Sequence, residues 1–200
     1  MSLETKVPLS VIAISGSLSP NSKTALLVDH VLSQLGTNGI DRSHVRLQDL
    51  PADALLSADC RDRREVKDIE AGIAQAHGVI IATPIYKSSY SGILKAFLDA
   101  LPQFAFAGKT ILPLATGGSL AHVLALDYGL RPVLHSMGAR HVVQSHFVLD
   151  RNLGSLAASM DATLDGEAPL YEAIRHFRYS LCGEPITRLQ GHPRPSEAMV

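Results

Sequence analysis

Short apolar runs alternate with amphipathic stretches along the chain. "LSVIAIS" (9–15) is apolar on both faces, which predicts a central strand. "KTALLVDHVLSQL" (23–35) follows, with Leu27, Val31 and Leu35 in a stripe and Leu32 beside them, the spacing of a helix. "HVRLQDL" (44–50) predicts a second strand, residues 51–64 a polar connection and "EVKDIEAGIAQA" (65–76) a second helix. "GVIIATP" (78–84) predicts the third strand, and "SGILKAFLDAL" (91–101) the third helix. "KTILPLAT" (109–116) predicts a fourth strand, weakened by Pro113, which lacks a ladder donor. Residues 119–137 predict a fourth helix interrupted by Gly129 and Pro132, and "HVVQSHFV" (141–148) a fifth strand. Residues 151–182 carry one or two further helices, and the Gly/Pro-rich stretch 183–200 reads as a mobile tail.

Strands alternating with helices imply an α/β fold: a five-stranded parallel sheet with helices on both faces. Right-handed crossovers leave few topologies, among them the flavodoxin-like order 2-1-3-4-5. No internal repeat or second domain is visible, so residues 1–182 are expected to form one domain. In such sheets ligands bind beyond the carboxyl ends of the strands, at the switch between strands 1 and 3. That rule selects three loops, 16–24, 83–91 and 116–122.

Composition narrows the function classes. A hydrophobic content of 46% over 200 residues suits one packed core. The net charge of −1 offers no basic footprint for nucleic acid. No apolar run reaches the ~20 residues of a membrane span, and "MSLETKVPLS" has no apolar export region, so a cytoplasmic protein is expected. Cys60 and Cys182 are far apart and read as incidental thiols. His141 and His146 share a strand without a third ligand, so no metal site is expected.

The first loop, "GSLSPNSKT", with the Ser15 that precedes it, offers the hydroxyls of Ser15, Ser17, Ser19, Ser22 and Thr24 at a helix start, where main-chain amides and the helix dipole favour an anion. It matches neither the P-loop, since Asn21 and Ser22 stand at the Gly and Lys places, nor the dinucleotide fingerprint, since Leu18 and Asn21 stand where glycines belong. By itself it also suits an ordinary capped turn. The second loop, "TPIYKSSYSG", brings Pro84, flat amphipathic Tyr86 and Tyr90, and Gly92; the third, "TGGSLAH", brings Gly117 and Gly118, which admit close backbone approach. Each alone would serve as a plain turn. Together, at one sheet edge, they point to a joint ligand site rather than three separate turns.

The segments "GSLSPNSKT", "ATPIYKSSYSGILKAFLDALP" and "GKTILPLATGGSLAHVLALDYGLRPVL" resemble the NAD(P)H-dependent FMN reductases of the flavodoxin-like fold, in particular the alkanesulfonate-pathway branch. The likeness runs over about residues 9–150, more loosely to 182. It implies that Ser17, Ser22 and Thr24 contact the FMN phosphate with Lys23 near it. Pro84, Ile85 and Tyr86 would flank the isoalloxazine with Lys87 nearby, and Thr116, Gly117, Gly118 and Ser119 would line its other side. His122 would lie within reach of the ring or the nicotinamide, unless it serves as a capping or core residue. Many family members carry arginine where this chain has Ser19, a departure that implies looser flavin retention. In "ALDYGLRPVL", Tyr128 matches a tyrosine that makes a π-helical bulge at a tetramer interface. The alternative for Tyr128 is a kink set by Gly129 and Pro132.

The implied activity is hydride transfer from NADPH or NADH to FMN, with reduced flavin passed to a partner monooxygenase in organosulfur assimilation by a homotetramer or homodimer. Such chemistry resides in nicotinamide and flavin and needs no catalytic acid, base or metal. Two other readings remain at this point: a quinone, azo or metal-ion reductase with tightly held FMN, and a flavodoxin-like electron carrier. Such carriers tend to be strongly acidic, whereas this chain is near neutral.

Overall fold

The computed structural model describes residues 8–36, 39–51, 53–153 and 169–182. Its strands are β1 (Leu9–Ser15), β2 (Ile40–Arg46), β3 (Gly78–Tyr86), β4 (Ser89–Tyr90), β5 (Thr110–Gly117), β6 (His141–Val142) and β7 (His146–Leu149). The α-helices are α1 (Lys23–Gln34), α2 (Arg64–Gln75), α3 (Gly92–Ala100), α4 (Arg131–Ser136) and α5 (Pro169–Cys182). The predicted tail 183–200 lies outside the described residues, as do residues 154–168 of the terminal helical region.

The main sheet runs β2-β1-β3-β5 and continues into β6 and β7, all parallel. This is the flavodoxin-like order expected from the sequence, with seven strands in place of five. The two extra strands have separate origins. β4 is the short antiparallel partner of the β3 end, and β6 and β7 are the two halves of the predicted fifth strand.

The fifth strand breaks opposite Pro113. β6 pairs with Thr110 and Ile111, β7 with Leu114 through Gly117, and residues 143–145 span the gap. Val143 donates its amide to the Ile111 carbonyl (2.9 Å), so Pro113, two residues on, turns its missing donor toward this neighbour. The proline stays within β5, and the adjacent strand bulges where no donor exists. Arg131 covers the gap, donating to the carbonyls of Val142 and Val143 (3.1 Å each).

One core cluster, including Ile12, Val79, Ile81, Phe97 and Phe147, lies on the α2/α3 face. The other, including Val11, Val28, Ile80, Leu112 and Phe177, lies on the α1/α5 face. β1, β3 and β5 are buried on both faces, which is why they read as continuous apolar runs. β2 is the edge strand and its outer face is polar. Its span is Ile40–Arg46 rather than the expected 44–50, because the apolar residue after it, Leu47, opens a 3-10 turn instead.

The predicted fourth helix is three pieces: a 3-10 turn (Leu120–His122), a π-helix (Leu126–Leu130) and α4. Pro132 falls where the π-helix runs without a break into α4, so the irregular helical turn coincides with the residue that lacks an amide donor.

Candidate functional site

The ends of β1, β3 and β5 deliver the three loops to one edge, and hydrogen bonds brace them together. Gly16 donates its amide to Ala82 (2.8 Å), and its carbonyl accepts from the Ser91 hydroxyl. Ser91 donates its amide to the Thr83 hydroxyl (2.9 Å) and caps α3 by accepting from Leu94. The Thr24 and Thr116 hydroxyls meet at 2.8 Å in the interior, tying α1 to the end of β5. Two glycines are needed for this closeness. A Cβ on Gly16 would stand 2.7 Å from Leu94 Cβ, and one on Gly117 would stand 2.9 Å from the Phe147 ring.

Between the loops lies a cleft of about 250 Å³. Ser17, Lys23 and Thr24 line it from the first loop, Pro84, Ile85 and Tyr86 from the second, and Thr116, Gly117 and Gly118 from the third. Ser22, Lys87 and Ser119 stand outside the lining. Ser22 is the N-cap of α1, accepting from Ala25 (3.0 Å); Ser119 caps the next turn, accepting from Ala121 (3.2 Å). The cap uses the third amide of α1, and those of Lys23 and Thr24 have no acceptor within the helix. His122 lies on the 3-10 turn, half-buried and outside the cleft lining.

Ser19, Asn21 and Asp150 also line the cleft. The sequence names Ser19 as one of the loop's hydroxyls and as a departure from the family's arginine, and Asn21 only as a departure from known signatures. Asp150 is absent from it: it follows β7, and an anion site gives no reason to look for a carboxylate. Its Oδ2 stands 3.3 Å from Lys23 Nζ.

The second loop is a tight hairpin. Ile85 pairs with Tyr90 and Tyr86 with Ser89, so Lys87 and Ser88 alone make the turn. Both lie in the left-handed region, at φ 49° and 64°, the geometry of a type I′ turn, usually built from Asn and Gly. Tyr86 is 54% exposed at the cleft rim. The hairpin leans on the π-helix, where a Cβ on Gly129 would lie 3.6 Å from the Tyr90 ring.

Beneath the first loop, Ser15 Oγ meets His44 Nε2 at 2.9 Å, His44 Nδ1 meets Asp29 at 2.8 Å, and Arg46 donates to the other Asp29 oxygen (2.7 Å). This has the connectivity of a hydrolase triad, but Ser15 is 2% exposed and out of reach of a substrate. It braces β1, β2 and α1. Burial holds the His44 imidazole below its ordinary value, against the opposing pull of Asp29. Among the described residues no group of three His, Cys, Asp or Glu side chains could hold a metal. No described helix is long and apolar enough to cross a membrane.

A doubly wound parallel sheet with a phosphate-sized, hydroxyl-rich helix start and a ring-sized cleft at its switch point defines a flavodoxin-like nucleotide-binding protein. Residues 9–153 match the family described as NADPH-dependent FMN reductase, and the chain belongs to that family. It is 37% identical over 177 residues to an FMN reductase (NADPH) of Pseudomonas putida, covering 88% of this chain and 89% of the relative. It is 39% identical over 142 residues to an FMN reductase (NADPH) of Escherichia coli, covering 71% and 74%. A solved NADH:FMN oxidoreductase (EMOB) in its apo form is 51% identical, with a TM-score of 0.76, covering 94% of this chain and 98% of that one. The chain is thus an NAD(P)H-dependent FMN reductase, with FMN and a nicotinamide nucleotide as its cofactors.

The cleft fits such a flavin on its own chemistry. It offers two first-turn amides and hydroxyls for a monophosphate, and glycine backbone at Gly117 and Gly118 for a flat ring.

Proposed function

We propose that FMN enters with its phosphate at the first loop and its ring between the second and third, and leaves reduced for a partner monooxygenase. The observation that carries this reading is the single cleft in which residues of all three loops meet. Ser17, Thr24 and the amides of Lys23 and Thr24 hold the phosphate, while Ser22 acts by fixing the helix start. Pro84, Ile85 and Tyr86 flank one side of the ring, and Thr116, Gly117 and Gly118 the other. Lys87 and Ser119 act at the rim, and His122 belongs to the turn that borders the nicotinamide side. When bound, the flavin supplies the hydride-accepting centre; the chain orients it and moves no proton of its own.

Reduced flavin supplied to a monooxygenase in alkanesulfonate or related organosulfur use is the role we assign, in the cytoplasm. The relatives support it in part: a Pseudomonas fluorescens protein is named NADH-dependent FMN reductase SfnF. Tyr128 stands 79% exposed on the π-helix beside exposed Leu124, and Leu120 lies nearby in the chain. This apolar strip is proposed as the face that joins subunits into a homotetramer.

Steady-state oxidation of NADPH and NADH, with and without added FMN, tests the activity. Turnover that requires added FMN supports a flavin that comes and goes. A yellow protein that keeps its flavin through dialysis and ignores added FMN would refute release, and would favour a reductase of quinones, azo compounds or metal ions. Sedimentation of wild type and Tyr128→Ala tests the interface, and a monomeric wild type would overturn it.

A further inference from the structure

The phosphate end of the cleft contains its own competitor. Among the residues lining the cleft, Lys23 is the one cation and Asp150 the one carboxylate, and they face each other at 3.3 Å. We propose that Asp150 sets how weakly the protein holds FMN, by occupying Lys23 and placing a negative charge beside the phosphate. This rests on the reading of the cleft as the FMN site.

The placement is unlike an ordinary surface ion pair. Both side chains are solvated, at 53% and 36% exposure, so the pair adds little to folding. Its two members come from opposite sides of the site, α1 and the turn after β7. A dianionic phosphate arriving at the first turn of α1 must draw Lys23 from Asp150 or share it with a like charge. The lysine and carboxylate together contribute no net charge, so attraction is left to amides, hydroxyls and the helix dipole. Ser19 lines the same end and brings no second cation. A site of this composition favours exchange of the flavin over retention.

The test is the affinity of Asp150→Asn for FMN and for riboflavin, which lacks the phosphate, by quenching of flavin fluorescence. The expected result is FMN bound about tenfold more tightly, as fits removing one partly screened charge near a dianion. Riboflavin affinity should stay unchanged. Asp150→Ser serves as the second variant, with circular dichroism confirming that each folds. Unchanged or weaker FMN binding in both variants, with a wild type that reduces FMN, overturns the proposal and would make the carboxylate an acceptor for flavin hydroxyls. An equal gain for riboflavin overturns it as well. A wild type that neither binds FMN nor oxidises NAD(P)H overturns the flavin reading and this inference with it.

Discussion

The Lys87–Ser88 turn stores strain that one substitution should release. Ser88 sits at φ 64°, where an L-residue's Cβ crowds the following carbonyl at a cost of about 1–2 kcal/mol. Glycine there removes that cost but brings back about 0.5–1 kcal/mol of extra chain entropy in the unfolded state. Ser88→Gly should therefore stabilise the protein by about 0.5–1 kcal/mol, and for a chain of this length raise Tm by about 1–4 °C. Ser88→Ala is the informative partner, because alanine keeps the Cβ and hence the strain. Urea titrations of wild type and both variants, compared at a common slope, give the measurement. A glycine variant no more stable than the alanine variant would show that the turn carries no left-handed strain. Because Tyr86 and Ser89 pair directly across this turn, the FMN KM of the glycine variant reports whether the strained form is also the one the cleft uses.

Acid stability offers a second check. Burial lowers the His146 pKa to about 4, while Glu172 and His176 of α5 line the small cavity beside it. The unfolded chain binds this proton more readily, so the stabilisation is whole above about pH 6.5 and is lost as the pH falls toward 4. The unfolding free energy of wild type minus that of His146→Gln should drop by about 2 kcal/mol between pH 7 and pH 5. A difference constant with pH would mean that His146 is solvated. Gly16→Ala should cost about 1–3 kcal/mol, since the new Cβ would meet Leu94 Cβ at 2.7 Å, and should raise the FMN KM by displacing the first loop. Wild-type values for both quantities would count against the close packing of loop and helix. Thr24→Val should cost about 1–3 kcal/mol by leaving the buried Thr116 hydroxyl, 2.8 Å away, without its partner, and should raise the FMN KM severalfold by removing a hydroxyl proposed to hold the phosphate. An unchanged KM would place the phosphate elsewhere.

The doubly buried strands announced themselves, because a run such as "LSVIAIS" has no polar face to mislead. β2 was harder to bound: an edge strand alternates with charged residues, and Leu47 extended the apparent pattern past its end. Pro113 was visible as a disturbance, yet its effect falls on the neighbouring strand, and strand pairing is not written in local sequence. Within the site, loop residues that approach a ligand through backbone or hydroxyl groups were legible from their small size and position after a strand. The resemblance implies that Ser22 and Ser119 contact the flavin, and in the structure each accepts a capping amide; a helix start uses the same residue types for either purpose, so the sequence alone does not separate the two. The Lys87–Ser88 turn lacks the Asn-Gly signal that usually marks its type, so its geometry could not be read from composition.

The break opposite Pro113 also acts as a parity switch. Before it, Val142 packs with the α2/α3 cluster and Val143 with the α1/α5 cluster, so even positions face one side. After it, Phe147 and Leu149 join the first cluster and Val148 the second, so odd positions do. One surplus residue, seen as His141 opposite Thr110 but His146 opposite Leu114, exchanges the two faces of everything that follows. Phe147 thereby reaches Gly117 under the third loop. Removing a single residue from 143–145 would leave two residues opposite Leu112 and Pro113, closing the break into one regular strand while Phe147 stays opposite Ala115 under the third loop.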